Sequence, residues 1–195
     1  MNPHDYQAFT DALQANLERD PRVLGLMAAG SMAGISHQPD RWSDHDFWLI
    51  VEPDVLAWYH AQSDWLPDAD QIVLRFQETQ DGYKVVYRSG HLLEFAIFDR
   101  VGLRRAKVND YRLLIDRAGL AADLKQMRAD TVAEVAQNAH DDTHLLGQFL
   151  TNLLVGSGRY QRGEQISARA FITVYALNHL LRLIARHVPT AHPDA

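Results

Sequence analysis

The order of hydrophobic and polar positions divides the chain into two halves. Tyr6, Phe9, Leu13 and Leu17 recur at spacings of three and four, which predicts an amphipathic helix over residues 3–19. It stops at Asp20-Pro21, because the residue before a proline avoids the helical region. Residues 23–29 are continuously apolar and read as a short buried strand, broken by Gly30-Ser31. Residues 32–43 read as a loop with room for one helical turn. A second strand is predicted over residues 46–51. A helix then opens near Pro53, which suits an early helical position, with Leu56, Trp58, Tyr59 and Trp65 on its apolar side. Residues 72–76, 83–87 and 92–98 predict three more strands, the first two joined by a turn at Asp81-Gly82. Residues 111–115 predict a last one.

Beyond residue 120 the period is helical. Leu124, Met127, Thr131, Val135 and Ala139 form one stripe, and Leu146, Phe149, Leu150, Leu153 and Leu154 another. Ala170, Val174, Leu177, Leu181, Ile184 and Val188 repeat at four and three, a heptad-like seam expected to pack on another helix over its length. An intramolecular core and a homodimer contact are both open uses of that seam. The fold class expected is α+β: a small mixed β-sheet domain with flanking helices over residues 1–120, then a C-terminal helical bundle over 121–195.

Composition narrows the class. With 47% hydrophobic and 23% charged residues, the 195-residue chain resembles an ordinary folded protein and neither a collagen nor a disordered tail. It has no cysteine, which excludes disulfides and thiolate metal sites and suits a reducing, cytoplasmic setting. No apolar run approaches the ~20 residues a membrane helix needs. The first residues are neither basic nor apolar, so no secretory signal is expected. The formal charge of −6 is uneven: residues 1–100 hold sixteen acids and seven bases, residues 101–195 nine acids and twelve bases. The acidic half suits divalent cations. The overall charge argues against a nucleic-acid acceptor.

The candidate chemistry lies in residues 28–51. A strand ends in Gly30-Ser31, and Asp44-His45-Asp46 opens the next one. Side chains alternate across a strand, so Asp44 and Asp46 point the same way. Two adjacent carboxylates stay ionised only with a compensating charge, and a divalent cation supplies it. Glu94 sits within the apolar run 92–98, where an acid is costly unless paired or ligating. If its strand neighbours that of Asp46, three carboxylates converge, enough to hold two metal ions. Gly30 and Ser31 would let the backbone and a hydroxyl approach a phosphate.

Gly30, Ser31, Asp44, Asp46 and Glu94 together resemble the signature of the nucleotidyltransferase superfamily related to DNA polymerase beta. The layout looks like the small bacterial enzymes that adenylylate aminoglycosides, which join a catalytic domain to a helical bundle. The resemblance implies two Mg²⁺, held by Asp44, Asp46 and Glu94, and ATP seated on Gly30 and Ser31. It further implies transfer of a nucleoside monophosphate to a hydroxyl of a small acceptor, with release of pyrophosphate. A second reading is an antitoxin of this superfamily, binding or AMP-modifying a helical toxin partner; the long C-terminal helices speak against it. The position between the two aspartates, His45, departs mildly from the apolar or aromatic residue usual there and is expected to face away from the metals.

Other residues have alternatives. Glu94 could pair with an arginine such as Arg88. Glu164 could serve as a general base or simply stand at a helix N-terminus, where negative charge is favourable. Arg159, Arg162 and Arg169 could grip phosphates. Trp42 could stack on a base, whereas Trp48 and Trp58 are expected in the core. His140 and His144 share the spacing of a zinc protease helix, but Asp141 replaces the glutamate that motif requires. Gly156-Ser157-Gly158 reads as a turn.

Overall fold

A computed structural model describes residues 3–35, 38–137 and 140–189. Its chain divides into two compact units, Met1–Val135 and Ala136–Ala195. The expected boundary near residue 120 differs from this division by one helix, which the contacts group with the sheet.

The first unit runs α1 (Pro3–Glu18), β1 (Val23–Ala29), α2 (Gly30–Ala33), β2 (His45–Val51), α3 (Leu56–Ala61), β3 (Ile72–Gln77), β4 (Gly82–Tyr87), β5 (Leu92–Phe98), α4 (Arg100–Leu103), β6 (Tyr111–Asp116) and α5 (Leu120–Gln137). The sheet order is β3-β4-β5-β2-β1-β6. Its neighbours are antiparallel except β2 and β5, which are parallel. The expected α+β class is what the structure shows.

Each strand sends alternate residues to opposite faces. On one face Leu26, Phe47, Leu49, Leu93, Phe95 and Ile97 pack with Leu13 and Leu17 of α1 and with Tyr59 and Trp65. Each fully buried leucine there contributes about 1.5–3 kcal/mol. On the other face Met27, Ile50 and Phe98 pack with Leu103 of α4 and Leu120 and Leu124 of α5. Trp48 and Ala96, two residues nearer the N-terminal ends of β2 and β5, are only partly covered. One further step along the same face reaches Asp46 and Glu94. The acids therefore lie where the helical cover of this face runs out.

Several expectations need correction. Helix α3 ends at Ala61, so Trp65 reaches the core from the segment after it. Trp58, expected in the core, is 46% exposed. The short helix α4 was not foreseen; Asp99 caps it, accepting from the Gly102 amide at 2.6 Å.

The second unit is a helical hairpin. It consists of α6 (Asp142–Gln161) and a long return made of α7 (Gln165–Ala170), a π-helical turn over Phe171–Ala176, and α8 (Leu177–His187). Asp141 caps α6 through the His144 amide at 2.7 Å. Gly156 lets the arms approach closely: a Cβ there would lie 2.6 Å from Ile172 and 3.2 Å from the Ala168 carbonyl. The Gly156-Ser157-Gly158 stretch is thus helical and not a turn. The seam is also corrected. Val174, Leu177, Leu181, Ile184 and Val188 are exposed, and Ala168 and Ala176 are the buried positions. A π-turn accommodates an extra residue and rotates the helix beyond it. Of the α5 stripe, Leu124 and Thr131 are buried, Val135 is exposed, and Ala139 lies outside the described residues.

Candidate active site

Asp44 ends the loop before β2, and Asp46 is the second residue of that strand. In the parallel ladder Asp46 pairs directly with Glu94 of β5. One carboxylate oxygen from each of Asp44, Asp46 and Glu94 lies within 4.8 Å of the other two. All three side chains are partly exposed. The cluster needs both the period-two alternation of β2 and the β2–β5 pairing; neither alone would assemble it.

The electrostatics reflect this crowding. The Asp46 carboxyl is pushed up to about 7, first by burial and then by the charges of Asp44 and Glu94. Lys84, opposite Glu94 on β4, pairs with Glu94 at 2.9 Å and with Glu78 at 3.1 Å. Glu94 therefore does have a basic partner, Lys84, and not the Arg88 that sequence proximity suggests. Lys84 and Glu78 were missed in the sequence. The signal was the β4–β5 register, which a hairpin centred on Ser89 would have supplied.

Gly30 has φ +50°, and a Cβ added there would lie 2.5 Å from Asp46 Oδ2. Only glycine fits this bend against the acids. The Ser31 Oγ is buried beside the Tyr6 hydroxyl. The nearby Tyr6 hydroxyl is already committed, donating to the Asp44 carbonyl at 2.7 Å. Burial raises that phenol to about 12. On the other side of the turn, Arg112 of β6 donates to the Met32 carbonyl at 3.1 Å.

His45 faces away from the acids and is fully buried. Its ring stacks on Tyr6 at 3.7 Å and makes hydrogen-bond contacts with Thr10 Oγ1 at 3.0 Å and His91 at 2.8 Å. Burial, with the nearby His91, lowers it to about 3. Burial likewise lowers His91, to about 4. The pair is neutral and anchors the start of β2, and so Asp44 and Asp46, to α1.

Two clefts open beside the acids. One, of about 290 Å³, is lined by Gly30, Asp46, Trp48, Glu78 and Glu94. The other, of about 700 Å³, is lined by Arg41, Trp42, Asp44, Ser89 and His91. Trp42 is 77% exposed, with the Arg41 guanidinium 4.2 Å from its ring centroid.

Glu164 belongs to the second unit and stands at the start of α7. It pairs with Arg162 at 2.8 Å and with Arg159 at 3.0 Å. Arg162, foremost, holds its carboxyl below the usual range. Arg159 also lies over the Phe171 ring. These pairings favour a structural use of Glu164, Arg159 and Arg162 over a free base and free phosphate grips. His140 and His144 stack at 3.9 Å; among the described residues the only group of three or more side chains placed to hold a metal ion is Asp44, Asp46 and Glu94. No described helix is long and apolar enough to cross a membrane.

No family model matches the sequence. A search of the curated proteins returns no match. Among solved structures, the chain is similar to an aminoglycoside 6-adenyltransferase from Bacillus subtilis, at 12% identity and TM-score 0.41, over 92% of this chain and 65% of that one. It is similar to the Cid1 poly(U) polymerase at 16% identity and TM-score 0.35, over 53% and 32% of the two chains. It is also similar to a chain of the E. coli MS115-1 CdnC:HORMA-deltaN complex, at 16% identity and TM-score 0.38, over 97% and 66%. The chain thus spans at most about two thirds of these neighbours. All are distant likenesses, and the chemistry rests on this chain's own residues.

Proposed function

We propose that the chain is a divalent-metal-dependent nucleotidyltransferase, moving a nucleoside monophosphate, AMP from ATP in the simplest case, onto a hydroxyl of a small acceptor. The observation that carries this is the convergence of Asp44, Asp46 and Glu94 beside the Gly30-Ser31 bend. The donor set fits a hard cation: three carboxylates, all oxygen, with Asp46 driven toward its neutral form by burial and then by its acidic neighbours. Asp44, Asp46 and Glu94 would hold Mg²⁺, which supplies neutralisation of the charge on the transferring and leaving phosphates.

The remaining work falls to the protein. Gly30 lets the Asp46 carboxylate lie against the bend, and the Ser31 hydroxyl would donate to phosphate oxygens. Arg112 adds a positive charge beside the same bend. Lys84 holds Glu94 in place, and Glu94 would take the proton of the acceptor hydroxyl. The acceptor oxygen attacks the α-phosphorus as the bond to the bridging oxygen breaks, and pyrophosphate leaves. Positioning and charge neutralisation carry such a step. The exposed Trp42 ring offers a stacking surface in the larger cleft. The overall charge of −6 favours a small acceptor over a nucleic acid.

Calorimetric titration with ATP, with and without Mg²⁺, tests the proposal. The wild type should bind ATP only with Mg²⁺, and Asp46→Ala should lose that binding. Pyrophosphate release in an acceptor screen then reads turnover. Absence of metal-dependent nucleotide binding in the wild type would refute the reading.

A further inference from the structure

The second unit leaves a broad apolar face uncovered. Leu146, Leu150 and Leu154 of α6 are 46%, 49% and 72% exposed, and Leu177, Leu181 and Ile184 of α8 are 42%, 50% and 39% exposed. The two sets lie on the same side of the hairpin. In α6 the inward positions are Leu145 and Gly156; in the return arm they are Ala168 and Ala176. At 100° per residue, each exposed set lies a quarter to half a turn from its inward positions, in the same sense. The arms are antiparallel, since Asp142 at the start of α6 pairs with Arg186 and His187 at the end of α8. An equal rotation on antiparallel helices turns both sets to one side. Leu146, Leu150 and Leu183 also line one open groove of about 400 Å³.

Charge placement points the same way. From Leu145 to Gly158 the chain has no ionisable side chain, and from Ala170 to Leu181 only His179 and the phenol of Tyr175. The middle of the hairpin is neutral on every side, and charge is confined to its ends. A helix exposed to water along one whole face ordinarily carries charge there.

We propose that this face is the contact between two copies of the chain, which close a four-helix core across a twofold axis. Two helices form one layer, and a layer with an apolar face needs a second layer to bury it. A second copy supplies a layer of the same length, with the same heptad seam and equally free of charge. An isologous contact requires only that such a face meet itself. The exposed apolar area approaches what such a contact needs. These six side chains with Val174 and Val188, each about half exposed, present on the order of 400 Å² of apolar surface, at about 100 Å² per aliphatic side chain. A stable dimer buries about 800 Å² per partner, of which about 60% is apolar. The inference stands whether or not the chain transfers nucleotides.

Sedimentation equilibrium of the full chain tests it. The wild type should have twice the 22.1 kDa chain mass at micromolar concentration. Leu150→Glu with Leu181→Glu should weaken the dimer at least ~100-fold. If that variant fails to fold, the cysteine-free chain allows a second measurement. Leu181→Cys should form a disulfide-linked dimer on oxidation, and Val101→Cys, 71% exposed in the first unit, should not. A wild type that stays monomeric up to ~100 µM overturns the proposal. So does a dimer that survives both glutamates, or a Leu181→Cys variant that does not crosslink.

Discussion

The two units treat water in opposite ways. The first closes its core on both faces of a sheet and leaves acids where the cover stops. The second covers only the inner line of a hairpin and leaves leucines open. An exposed polar cluster beside a closed core is a place for a charged ligand. An exposed apolar face on a thin layer is a place for more protein.

The sharpest test of this contrast is the acid cluster. Asp46→Asn should lower nucleotidyl transfer at least ~10³-fold, since metal-borne neutralisation is worth several kcal/mol. The same variant should make the metal-free protein more stable at pH 8. The sign comes from the raised Asp46 pKa. A folded value near 7 against about 3.8 unfolded means a stabilising contribution that is full below pH 3.8 and lost as pH rises through 7. The asparagine lacks that loss. Urea unfolding of both proteins at pH 5 and pH 8 reads it; an equal loss of stability in the variant would show that the acids are not strained.

Gly30→Val comes next. Its Cβ would press on Asp46 at a positive φ, so activity should fall ~10²-fold, with about 1–2 kcal/mol of backbone strain. Nucleotide affinity and the unfolding midpoint separate the two effects. In the second unit, Gly156→Val should cost about 1–3 kcal/mol by overpacking against Ile172 and the Ala168 carbonyl. It should lower the helix content or the midpoint of the hairpin and spare metal-dependent ATP binding.

The gentlest test is acid titration of His45. Its folded pKa of about 3 against 6.5 unfolded gives a contribution fully present above pH 6.5 and lost progressively as pH falls toward 3. His91, lowered to about 4, acts in the same direction. Stability of the wild type should therefore fall between pH 6.5 and 4, and His45→Phe should flatten that slope. An unchanged slope would place the acid sensitivity elsewhere.

Much of the first unit was legible in the sequence. Strand periods, the amphipathic first helix and the separation of Asp44 from Asp46 by one residue are local patterns, and local patterns survive folding. Glu94 stood out because an acid inside an apolar strand needs a reason. Lys84 did not, because a lysine on an edge hairpin looks like any solvated charge until its register against Glu94 is known. Trp58 misled because an aromatic on a short helix offers two faces and sequence does not say which one the sheet takes. The seam at Val174–Val188 misled for a different reason. Its spacing was read correctly, but the π-turn over Phe171–Ala176 changed which side faced the partner helix.

The sequence by itself determined which residues could carry charge and where strands and helices alternate, because these depend on side-chain chemistry and on the period of the backbone. Only the tertiary structure decided that β2 lies parallel to β5 in the register that sets Asp46 beside Glu94. It alone decided that Lys84 answers that pair and that the helical seam points outward. Strand neighbours and helix phase are fixed by contacts between residues far apart in the chain, and no local spacing encodes them.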